Sequence, residues 1–148
     1  MRCMVLVKAD KNSEAGIPLT KETKETFAAM GKFNEELVKA GVMLAGEGLQ
    51  PSAKGKRVRF SGKQRTVIDG PFSETKELIG GFYLWQVKSL EEAIEWVKRV
   101  PNCSPTGEGE IEIRQVFEPE DFAYAFSEEG IQQEKNLRAQ LAAQAAKR

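Results

Sequence analysis

The chemistry open to this chain is set first by a residue it lacks: none of its 148 positions is histidine. Histidine is the usual acid/base near neutral pH and the commonest metal ligand. Proton transfer here must therefore run on carboxylates, lysine, tyrosine, thiol or backbone donors. Asp69 is the first candidate, because it closes the apolar stretch Thr66–Ile68 and immediately precedes Gly70-Pro71-Phe72. A carboxylate there can hold the turn by accepting backbone N–H groups, or act as a proton acceptor or donor beside apolar neighbours. Phe72 would then wall a pocket or fill the core. Glu47, Glu112 and Arg114 form the second group: strand alternation places all three on one face of a sheet. An arginine at such a place anchors a carboxylate or phosphate, or pairs with a glutamate and satisfies it. Gly46 and Gly48 flank Glu47 and would let a backbone or ligand come close.

These residues need elements to position them. Arg2–Lys8 is a short apolar run and reads as a strand. A polar loop from Asp10 to Leu19 follows. Thr20 then opens a helix carrying Phe27, Met30, Phe33, Leu37 and Val38, closed by Ala40-Gly41. Val42–Leu49 reads as a second strand and Pro51–Gly55 as a turn. Arg57–Phe60 and Arg65–Ile68 make a hairpin exposed on one side. Ser73–Glu77 suits one helical turn capped by Ser73, with Glu74, Lys76 and Glu77 solvated. Gly80–Val87 is a strand with aromatics on both sides, where Tyr83 and Trp85 are core or interface residues. Ser89 with Glu92 forms a capping box for a helix bearing Ala93, Ile94, Trp96, Val97 and Val100, which Pro101 stops. Ile111, Ile113 and Phe117 mark the last strand, and an Ala/Gln-rich helical segment follows.

Without the hairpin the order is β-α-β-β-α-β, the split unit of a ferredoxin-like α+β fold with an antiparallel sheet. Its helices cover one face. The other should then be polar, yet Met4 and Leu6 oppose Cys3, Val5 and Val7, while Phe82 and Leu84 oppose Tyr83, Trp85 and Val87. Two apolar faces predict that a second copy covers one of them, giving a homodimeric α+β barrel.

Composition narrows the partners. The 22 basic and 22 acidic residues cancel, and the hairpin cations Arg57, Arg59, Lys63 and Arg65 have no interleaved aromatic platform, so neither nucleic acid nor membrane is expected. Cys3 and Cys103 are isolated, which speaks against a zinc site and a disulfide framework; Cys3 reads as a small core residue. The apolar stretch Met4–Val7 is too short for a signal or spanning segment, so a cytoplasmic protein without cofactor or metal is expected.

The stretch Asp69–Glu77 (Asp-Gly-Pro-Phe-Ser-Glu-Thr-Lys-Glu) resembles the signature of the DGPF branch of the YCII-related proteins. Met30 with Phe33, Glu35–Leu37, Ala40-Gly41-Val42, Gly46–Leu49, Gly80-Gly81-Phe82, Ala93–Trp96 and Glu112–Arg114 fall where that pattern would put them. The resemblance spans Met1 to Phe122, with a C-terminal helical extension over 123–148, and implies the same dimeric barrel. It supplies no reaction, since the branch is similar to a group without an established role, known partly through relatives encoded beside or joined to alternative sigma factors. Other family members are thought to use a histidine–aspartate pair in a barrel-side pocket, and a distant relative eliminates chloride from an aromatic ring. Only the aspartate half carries over, to Asp69. Two functions follow as expectations: cofactor-free acid/base conversion or binding of a small organic ligand, with Asp69 catalytic and Glu47, Gly48, Phe72, Glu112 and Arg114 holding the ligand; or a non-enzymatic dimeric regulatory module linked to sigma-factor control.

Overall fold

The computed structural model describes residues 1–147. These form two compact units, one from Met1 to Gln115 and one beginning at Val116. The first holds a four-stranded antiparallel sheet in the order β2-β5-β1-β6, built from β1 (Arg2–Lys8), β2 (Met43–Gly48), β5 (Ile79–Gln86) and β6 (Ile111–Gln115). A separate two-stranded ribbon joins β3 (Lys56–Ser61) to β4 (Gln64–Asp69). With that ribbon and a one-turn helix after β1 set aside, the order through β6 is the expected β-α-β-β-α-β.

Long helix α2 (Lys21–Lys39) starts where the Thr20 hydroxyl accepts the Thr23 N–H at 3.1 Å. It ends at Gly41, whose φ of 70° only glycine adopts readily. Gly41 N–H then reaches Val38 O at 3.0 Å and Val42 N–H reaches Leu37 O at 2.9 Å, closing the helix in a Schellman turn. Phe33 and Leu37 are buried, but Phe27 and Val38 are mostly exposed. A helix turns about 100° per residue, so Val38 sits a quarter-turn round from Leu37 and leaves the core stripe. Helix α3 (Leu90–Val97) buries Ala93 and takes its N-cap from Ser89, which accepts the Glu92 N–H at 3.2 Å. Glu92 returns its carboxylate to Lys88 N–H at 2.6 Å instead of to Ser89.

The core lies between the helices and one sheet face. Cys3, Val5, Tyr83, Trp85 and Val87 meet Phe33, Leu37, Val42 and Ala93 there. Trp85 is fully buried, with the Phe33 ring 6.4 Å and the Tyr83 ring 5.4 Å from it. Such rings bring large apolar area and a preferred tilted geometry together.

Four local expectations change. The supposed loop after Asp10 contains a one-turn helix, α1 (Lys11–Glu14), because Asp10 and Ser13 satisfy each other's backbone N–H groups at 2.7 and 2.8 Å. The hairpin is exposed on both faces, since every residue of β3 and β4 lies open to solvent. Ser73 caps nothing: the turn is a 3-10 segment over Thr75–Glu77 without a side-chain cap. The last strand ends at Gln115, and Phe117 instead stacks on Phe122 at 4.6 Å in the second unit, where Phe122 also meets Phe126. That unit ends in α4 (Glu128–Lys147), which buries none of its residues. No helix among the described residues is long and apolar enough to cross a membrane.

The Ser13 N–H, chiefly, holds the Asp10 carboxyl below its ordinary value. A lowered pKa adds stability above the ordinary carboxylate range that disappears as pH falls through the lowered value. Asp10→Ala should therefore cost about 1 kcal/mol at neutral pH. In thermal melts the gap between variant and parent should close as the solution is acidified; a gap that is constant with pH would refute the cap.

Candidate functional site

Register decides which candidates share a surface. Along the face away from the helices, one cross-strand row reads Glu47, Phe82, Leu6, Glu112 and the next reads Ala45, Leu84, Met4, Arg114. Met4, Leu6, Phe82 and Leu84 are half-buried, forming an apolar centre without the full burial of the opposite face. Within these two rows charge is confined to the ends.

At the β6 edge, Arg114 Nη1 stands 3.4 Å from one Glu112 oxygen. The other oxygen faces Lys8 Nζ at 3.7 Å. Lys8 is thus a member of the site that the sequence reading passed over. Its signal was present: alternation along β1 puts it on the face of Met4 and Leu6, at the end of an apolar run. Glu47 does share this face, but it stands on the far edge strand. Three strand spacings, about 14 Å, separate it from Glu112, so it joins neither cation. Gly48 pairs with Gly81 in a row that alternates to the helix side, off the face of Glu47. Its neighbourhood is nevertheless tight, because a Cβ on Gly81 would come within 3.0 Å of the Glu47 carbonyl oxygen.

Asp69 lies elsewhere. It ends β4 opposite Lys56, pairs with that ammonium at 2.5 Å, and its side chain is 73% exposed. The apolar surroundings expected for it are missing because the ribbon that carries it is solvated on both faces. Beyond it the chain turns through a cis Gly70-Pro71 bond to Phe72. Phe72 N–H donates to Ser52 Oγ at 3.1 Å, the Ser52 hydroxyl donates to the Glu14 carboxylate, and Ser52 N–H donates to the same group at 3.1 Å. The Arg57 guanidinium caps the Phe72 ring at 3.9 Å. Phe72 is therefore a stacking partner for Arg57. Glu14 and Ser52 lie 38 residues apart, so no local spacing could announce this clamp.

A further polar feature is buried with the core. The Tyr83 hydroxyl donates to Asn34 Oδ1 at 2.9 Å and lies 3.1 Å from Met30 Sδ. Burial first, then nearby Cys103, pushes the Tyr83 phenol up. Asn34 also lines an open groove of about 330 Å³ with Gly31, Val38 and Met43, on the flank of α2 and away from the charged edge. Among the described residues no group of three or more acidic or thiol side chains is placed to hold a metal.

An antiparallel α+β domain with one buried and one half-open apolar sheet face is the class these features define. The YCII-related domain matches residues 1–120, and the chain belongs to that family. An uncharacterized protein of Rhizobium meliloti (strain 1021) is 31% identical over 99 residues, which cover 66% of this chain and 80% of that protein. Among solved structures, 5-chloro-2-hydroxyhydroquinone dehydrochlorinase from Burkholderia phenoliruptrix AC1100, in complex with 2,5-dihydroxybenzoquinone, is 17% identical with a TM-score of 0.44, covering 79% of this chain and 94% of its own.

The clamp makes a sharp steric prediction. A Cβ at Gly70 would overlap the Ser52 carbonyl oxygen, so Gly70→Ala must displace backbone. It should destabilise the domain by about 1–3 kcal/mol in denaturant melts, whereas Gly62→Ala, with open space around its Cα, should show only the smaller penalty of its positive φ. Equal effects would rule out the close approach.

Proposed function

We propose that this chain, a DGPF-type member of its family, is a homodimer of ferredoxin-like subunits whose open sheet faces enclose and convert a small organic ligand by cofactor-free acid/base chemistry. One observation carries the reading: an apolar sheet centre ends at a carboxylate, Glu112, that stands between two cations, Lys8 and Arg114. A second copy laid over Met4, Leu6, Phe82 and Leu84 would bury a contiguous apolar surface. It would also exclude water from the charged edge and so strengthen its electrostatics.

Glu112 is the carboxylate this geometry favours as proton acceptor or donor, because it faces the apolar rows. Arg114 and Lys8 orient the ligand's anionic group. Asp69, exposed and held by Lys56, is a second carboxylate candidate, and Glu47 bounds the opposite edge. A competing reading, a regulatory module, draws support from α4, most of whose residues are exposed.

Sedimentation of the purified protein should give twice the chain mass, and Leu84→Arg should return it to a monomer. A thermal-shift screen of small carboxylates, hydroxy-aromatics and phosphorylated metabolites should raise the melting temperature through ligand binding to the folded state. The shift should vanish in Arg114→Ala and survive removal of the chain after Phe126. A panel without any shift, or a shift lost only on that truncation, would move the function to the interaction module.

A further inference from the structure

The distances at the β6 edge describe loose ion pairs, between a largely exposed Arg114, a partly exposed Glu112 and a half-buried Lys8. A charge-assisted N–H···O bond runs about 2.7–2.9 Å, yet Glu112 stands off at 3.7 Å from Lys8 and 3.4 Å from Arg114. Lys8 makes no other side-chain polar contact among the described residues, although its side chain is only 19% exposed. A half-buried lysine whose counter-ion stands this far off has room for a closer acceptor. Each cation also has donors to spare, three on a lysine and five on an arginine.

The order of charges limits what that acceptor can be. A bare anion reaching both cations would come alongside Glu112 and be repelled by it. A ligand that also carries a hydroxyl would donate it to Glu112 and turn that repulsion into a hydrogen bond. Leu6 lies in the Glu112 row and Phe82 beyond it, so an apolar ring attached to these groups has a surface to cover.

We propose that Lys8, Glu112 and Arg114 form a subsite for aromatic hydroxycarboxylates, with Lys8 and Arg114 holding the carboxylate and Glu112 accepting the hydroxyl proton's hydrogen bond. This rests on the small-ligand reading above and adds to it the ligand class and the role of Lys8. It is tested by titration calorimetry with 3-hydroxybenzoate, benzoate and phenol, the meta position keeping the hydroxyl away from its own carboxylate. 3-Hydroxybenzoate should bind about tenfold more tightly than either fragment, a difference of one decade in Kd. Lys8→Met should remove most of that affinity and Lys8→Arg should retain it. Glu112→Gln should tighten benzoate, since the repelling charge is gone.

Binding of 3-hydroxybenzoate no tighter than benzoate would overturn the subsite, as would Lys8→Met at full affinity. Both results leave the broader ligand reading standing if another compound of the thermal-shift panel binds. If no compound of either set binds, both fall. The wild-type series decides the ligand class even where Lys8→Met fails to fold.

Discussion

Everything on the sheet follows from the burial of Trp85 and its neighbours on one face. Trp85, Val5 and Cys3 are sealed against Phe33 and Leu37, and side chains alternate strictly along a strand. A one-residue slip would carry that whole set into solvent, so the register is held by the core. The same constraint sends Met4, Leu6, Phe82 and Leu84 to the other side, whatever that side is for. It also aligns Glu112 and Arg114 with them. The half-open apolar face is thus a by-product of packing the opposite one.

A second constraint, independent of the core, fixes the Asp69–Phe72 turn. Gly70 lies against the Ser52 carbonyl, Phe72 hangs its N–H on the Ser52 hydroxyl, and Glu14 anchors Ser52 from a distant helix. The turn is therefore a junction between α1, the segment after β2 and the ribbon. An isolated two-stranded ribbon is marginal in water, and this junction, with Arg57 on the Phe72 ring, supports its base. The signature that draws the eye in the sequence is accounted for by these contacts, while the charged edge that could meet a ligand lies on the main sheet.

Sheet width separates residues that sequence reasoning had grouped. Glu47 and Arg114 share a face, as alternation predicted, but β5 and β1 lie between their strands. Alternation gives the face of a residue and says nothing of its place across the sheet. Lys8 was missed for the complementary reason: as the polar end of an apolar strand it looked like a boundary, and only the placement of β6 beside β1 brings its ammonium near Glu112.

The sequence by itself determined the four strands of the main sheet, its two longer helices and their order, the two faces of β1 and β5, the capping of α2 and the core character of Cys3, because these depend on periodicity and on neighbours within a few positions. It also carried enough of the family pattern to point to YCII-related proteins. Tertiary structure alone decided that Asp69 is solvated on a free ribbon, that Ser52 and Glu14 clamp the turn, and that Lys8 joins Glu112 and Arg114. Each of these is a contact between segments far apart in the chain, and its existence depends on strand order and register, which local composition does not encode.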